Sequence, residues 1–137
     1  MVTAYRNIRG KLKVSGTEGD PVFVVVEGIA LTNFTVNAAV TNVADATKTT
    51  ILTQAFVAST LENITIISVS GSYFAKYFLT LNGVDIDIRR SSPDRNLQFD
   101  FTGSPLALVA GDVVDIKVEH FDVGQLHDFE ATIYGYD

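Results

Sequence analysis

Along most of this 137-residue chain the apolar residues fall at every second position, in short runs separated by Gly, Pro, Asn, Asp and Ser. A period of two places neighbouring side chains on opposite faces of an extended backbone, so runs of this kind fold as strands with one face buried and one wet. The sequence 33–42, NFTVNAAVTN, shows the pattern cleanly. Phe34, Val36, Ala38 and Val40 share one parity, and Thr35, Asn37 and Thr41 share the other. A polar turn through Ala44, Asp45 and Ala46 follows, and then the Thr-, Ile- and Val-rich runs 49–57 and 64–69, read as a strand pair closed by Gly71 and Ser72. Asn82-Gly83 separates two alternating runs in AKYFLTLNGVDIDIRR and predicts a two-residue type I′ hairpin. The turn SSPD precedes Leu97, Phe99 and Phe101, Gly111-Asp112 opens DVVDIKVEHF, and the chain closes on HDFEATIYGY.

Two more strands are expected near the start. In 2–14, Val2, Ala4, Ile8, Leu12 and Val14 oppose Tyr5, Arg9, Lys11 and Lys13, while PVFVVVE at 21–27 is apolar on both parities, as in a central or interface strand. The only rival to strand is the window LTQAFVASTLEN around Phe56, whose threonines and valine lower its helix propensity. About ten short strands joined by tight turns leave little room for crossovers. The expected fold is all-β: one antiparallel, jelly-roll-like sandwich spanning residues 1–137.

Composition then narrows the function. The chain has no cysteine and two histidines, which removes thiol nucleophiles and thiolate metal sites and leaves most triads short of parts. No G-x-S-x-G, P-loop or dinucleotide fingerprint occurs. The net charge of −6 is uneven: Arg6, Arg9, Lys11 and Lys13 are the only charges before Glu18, so a basic first strand precedes an acidic remainder. Nucleic-acid binding is not expected of that balance. The first residues carry charges every two or three positions without an apolar stretch, and no apolar run approaches 18 residues, so neither a signal peptide nor a membrane span is expected.

Two constellations were candidates for chemistry. Asp85 and Asp87 lie two apart on one strand, with Arg89 continuing the row, which places both carboxylates on one face about 7 Å apart. His120 and His127 bracket the loop FDVGQL beside Asp122 and Asp128, an arrangement that suits a divalent metal if the hairpin brings them together. The plainer readings are a solvated strand face for the first, and for the second a core-row histidine and a polar turn, and these are preferred. No catalytic residue, metal or cofactor is assigned, and the chain is not expected to be an enzyme. Tyr5, Tyr73, Phe74, Tyr77, Phe121, Tyr134 and Tyr136 include several rings on the parity opposite their strand's core row, which favours association surfaces.

The segments YFLTLNGVDIDIRR, RNLQFDF, LALVAGDVVDIKVEHF and DFEATIYGYD have the cadence of a hairpin around NG, an Arg-bearing turn, a GD-x-V strand entry and a closing aromatic strand. Over residues 64–137 the chain resembles the small jelly-roll modules of tailed-phage virion proteins, and the same entry and closing strand occur in trimeric jelly rolls of the tumour-necrosis-factor and complement type. The resemblance implies a virion location, most simply as a head decoration (cement) protein. Such a protein binds the major capsid protein or other virion proteins as a homo-oligomer, trimer or dimer, with neither nucleic acid nor membrane as partner. The alternative is a glycan- or receptor-binding module of a fibre or spike, with an aromatic platform near Tyr73 and Tyr77. The contact residues expected from charge and aromatic placement are Arg6, Arg9, Lys11, Lys13, Tyr134 and Tyr136.

Overall fold

A computed structural model describes residues 32–56, 62–93 and 96–137. The described residues form nine strands and no helix: β1 (Asn33–Ala44), β2 (Thr49–Ala55), β3 (Glu62–Gly71), β4 (Lys76–Leu81), β5 (Val84–Arg90), β6 (Leu97–Asp100), β7 (Leu106–Leu108), β8 (Val113–Glu119) and β9 (Leu126–Tyr136). One sheet has the order β1-β9-β3-β6, with β7 continuing the β6 edge along β3; the second has the order β2-β8-β4-β5. All pairings are antiparallel. The pairing is nested: β1 with β9, β2 with β8, β3 with β6 and β7, and β4 with β5 at the centre. A long ribbon folded back at the β4–β5 turn and rolled into two facing sheets is a jelly roll. The two expected strands at 2–14 and 21–27 lie outside the described residues.

Alternation decides which residues meet between the sheets. Ile67, Val69, Phe129, Ala131 and Ile133 of the first sheet face Leu52, Leu79, Val114, Ile116 and Val118 of the second, all buried. Each of these side chains except Ala131 contributes about 1.5–3 kcal/mol when fully removed from water. On β1 the alternation is weaker in effect, because Phe34, Val36, Ala38 and Val40 pack on the core from an edge strand and stay half-buried.

Three expectations change. The runs around β2 and β3 do not pair; they lie in different sheets, β2 on β8 and β3 on β9, because the rolled ribbon separates neighbours in sequence. Tyr77, expected on the outside, is fully buried: Tyr77, Leu79 and Leu81 oppose Val118, Ile116 and Val114, which fixes their parity as the inner one. Asp85 and Asp87 do not share a face. A bulge lets Leu79 oppose Asp87 and the next residue, Thr80, oppose Asp85, so Ile86 is the extra residue and the two carboxylates part. Asp85 accepts hydrogen bonds from Thr80 and Lys48, while Asp87 pairs with Arg89, whose guanidinium lies over the Phe99 ring at the sandwich edge.

The connections gather at two ends. Ala46 N–H donates to the His120 carbonyl and Ser91 N–H to that of Ala75, which ties together the β1–β2, β8–β9, β5–β6 and β3–β4 connections. At the opposite end Asn82 exchanges backbone and side-chain bonds with Val113, and Phe56 bonds Asp112 and Gly111.

Candidate binding site

The end that joins β3–β4 to β8–β9 holds both histidines. His120, the residue after β8, continues the core row of Val114, Ile116 and Val118 and is fully buried. Its Nε2 meets the Val43 carbonyl at 2.7 Å, and its Nδ1 accepts from the Asp122 N–H at 3.2 Å. A ring that donates at Nε2 and accepts at Nδ1 is fixed in one tautomer by the backbone around it. His127 opens β9. Its Nε2 pairs with the Asp122 carboxylate at 2.7 Å and its Nδ1 with Ser72 Oγ at 3.0 Å, and Ser72 Oγ also accepts from the Asp128 N–H. The two imidazoles stand edge-on with centroids 4.9 Å apart.

Tyr73 stacks on His127 at 4.7 Å and on Phe74 at 4.5 Å, so three rings form a column rooted on His120 and ending in a half-exposed phenyl. Beside the column a groove of about 250 Å³ is lined by Tyr73, Phe74, Lys76, Arg90, Ser91 and Phe121. Lys76 and Arg90 are register partners where β4 begins and β5 ends, which carries both cations to the mouth of the groove. Neither forms an ion pair with a carboxylate among the described residues. The Ser91 hydroxyl is already engaged with the Ala75 backbone, so it stiffens the wall.

Ser72, His127 and Asp122 have the residue types of a nucleophile relay but the wiring of a clasp. The serine meets Nδ1 and the carboxylate meets Nε2, the reverse of the serine-hydrolase arrangement, and Ser72 Oγ is held as an acceptor by a backbone amide. The chain of bonds fastens the β3–β4 turn onto β9. The metal arrangement considered from sequence is half realised: the histidines meet, but each ring nitrogen has a hydrogen-bonding partner, and Asp128 turns away to accept from Asn42 N–H.

Of the expected contact residues, Arg6, Arg9, Lys11 and Lys13 lie outside the described residues. Tyr134 and Tyr136 share the outer face of the first sheet; Tyr134 is 42% exposed between Thr35 and Ile66, and Tyr136 is half-buried between Asn33 and Asn63. They sit seven and nine residues along β9 from His127, roughly 23 and 30 Å, so they are not part of the ring column. Charge divides by sheet. Lys48, Lys76, Arg89, Arg90 and Lys117, the described cations, all lie in or just before strands of the second sheet, while the first sheet's strands carry only the carboxylates Glu62, Asp100, Asp128 and Glu130.

A third surface was not anticipated. β5 ends the second sheet, and on it Val84, Ile86 and Ile88 are 64%, 44% and 48% exposed. The alternation of VDIDI promised them a buried face, but an edge strand with a bulge has no neighbour to bury them among the described residues. Ser72 and Arg90 were likewise missed, since nothing local distinguishes a turn serine or a strand-end arginine that the fold carries to a groove. No family model matches the sequence, and no curated protein matches it either.

Proposed function

We propose that this chain is a virion structural protein of a tailed phage, a head decoration protein that binds the capsid lattice and its own copies and works by association alone. The observation that carries the reading is the β5 edge, which has no further strand partner among the described residues and on which Val84, Ile86 and Ile88 are exposed on either side of the bulge. Such an edge pairs with other chains unless something covers it, and a lattice neighbour or a second copy is suited to do so. Two features support it: the acidic outer face of the first sheet with Tyr134, and a basic N-terminal segment of opposite sign for a neighbour to meet. Reinforcement follows from linkage, because a protein bound only to the closed shell raises the free energy of opening it.

The test uses purified heads stripped of the protein. Ile86→Lys with Ile88→Lys, and separately Arg9→Glu with Lys11→Glu, are expected to leave the circular dichroism spectrum and melting temperature of the free protein unchanged and to lower co-sedimentation with heads at least tenfold in moderate salt. Binding that survives both pairs unchanged contradicts the reading. The alternative, a receptor-binding module of a fibre or spike, is favoured by the groove beside Tyr73, although Tyr77 is buried and takes no part in a platform there.

A further inference from the structure

The groove at the β3–β4 and β8–β9 end combines ring faces with two cations that form no ion pair among the described residues: Arg90, and Lys76, whose ammonium lies over the Phe78 ring. Phe74 and Phe121 are 46% and 55% exposed on its walls, and Tyr73, stacked between Phe74 and His127, backs the Phe74 ring. Arg90 and Lys76 stand side by side at its mouth. Exposed phenyl rings offer flat apolar faces, and the C–H face of a pyranose is the complementary surface. A guanidinium fork beside an ammonium suits a carboxylate, which accepts two parallel bonds from arginine.

We propose that this groove is a binding site for an acidic sugar, a pyranose ring bearing one carboxylate. Its volume of about 250 Å³ holds one ring with part of a second. The ring lies against Phe74 or Phe121 and the carboxylate reaches Arg90, with Lys76 adding the second charge. A single negative charge is preferred over a phosphate dianion for two reasons. Glu119 opposes Lys76 in the β8–β4 register and repels added charge, and the chain as a whole is at −6. Neutral sugars gain nothing from the two cations. The site does not depend on the particle assignment: a decoration protein and a fibre module would both present it at a free end of the jelly roll.

The test is titration of the full chain, followed by amide chemical-shift changes in NMR spectra, with glucuronate, N-acetylneuraminate, glucose, glucose 6-phosphate and acetate as probes. At least one of the two acidic sugars is expected to bind with its shifts centred on 73–76, 90–91 and 120–121, at least tenfold more tightly than glucose, glucose 6-phosphate or acetate. Arg90→Gln is expected to weaken that binding at least tenfold and Phe74→Ala at least threefold, while Lys117→Gln, a cation of the same sheet that does not line the groove, leaves it unchanged. Failure of both acidic sugars to bind overturns the proposal. Equal binding of acetate makes the groove a plain anion site, equal binding of glucose removes the role of charge, and equal loss in Lys117→Gln reduces the effect to net charge; each also overturns it. Head co-sedimentation of Arg90→Gln, expected to be unchanged, separates this result from that of the particle assignment.

Discussion

Tyr77 shows what a single side chain reveals about this core. Its ring packs edge-on to Phe129 at 6.2 Å between the sheets, and its hydroxyl is buried with no hydrogen-bonding partner among the described residues. Burial raises its ionisation well above the ordinary tyrosine range, so the phenol is protonated at neutral pH. A buried hydroxyl without a partner costs about 1–3 kcal/mol, whereas its removal without a change of shape leaves no cavity. Tyr77→Phe is therefore expected to be neutral or to stabilise by up to about 1 kcal/mol in urea unfolding, and a clear loss of stability contradicts this placement. The burial was legible in the alternation of KYFLTL, where Tyr77, Leu79 and Leu81 share one parity against Lys76, Phe78 and Thr80, and the outward reading of the ring missed it. His120 was read correctly from a pattern of the same kind. It extends a row whose other face, Asp115, Lys117 and Glu119, is charged throughout, and its core position was the preferred reading.

The same division holds for whole elements. The β4–β5 hairpin was readable from Asn82-Gly83 alone, and both residues take the positive φ, 51° and 84°, that a type I′ turn requires. What the turn signal does not show is how the hairpin is anchored. Asn82 donates from Nδ2 to Asp112 and accepts from Val113 N–H, and Asp112 also accepts from Val109 N–H, so two turns at this end are locked together. The bond from Asn82, then that from Val109, hold the Asp112 carboxyl below its ordinary value of 3.8. A carboxyl whose folded value is depressed adds stability above its unfolded value and loses it as pH falls through the folded one. Asp112→Asn is therefore expected to unfold at lower urea than the unmodified protein at pH 7, with the gap closing as the pH drops below about 3.8. A gap that stays constant from pH 7 to pH 2.5 rules out this clasp. The bulge in β5 was invisible for a related reason: it depends on register against β4, and so the alternation of VDIDI was projected onto a face that β5 does not possess.

For the whole molecule, period-two patterning and turn residues sufficed for an all-β sandwich, because in β1, β8 and β9 the buried parity follows from the strand's own residues. The pairing of β1 with β9 and β2 with β8 involves residues about 60 to 100 apart, and no local pattern specifies it. The surfaces proposed to act are products of that long-range order: an edge at β5, an acidic face on the first sheet, and a groove assembled from strand ends and loops that are distant in sequence. Each suits association, which is what the proposed role on a particle requires. The most direct test is sedimentation of the full chain, by itself and with assembled tailed-phage heads. The account predicts a mass of two or three chains for the free protein and saturable binding to heads at a fixed ratio of copies per capsomer. A monomer at all concentrations that binds sugar and ignores heads would contradict it.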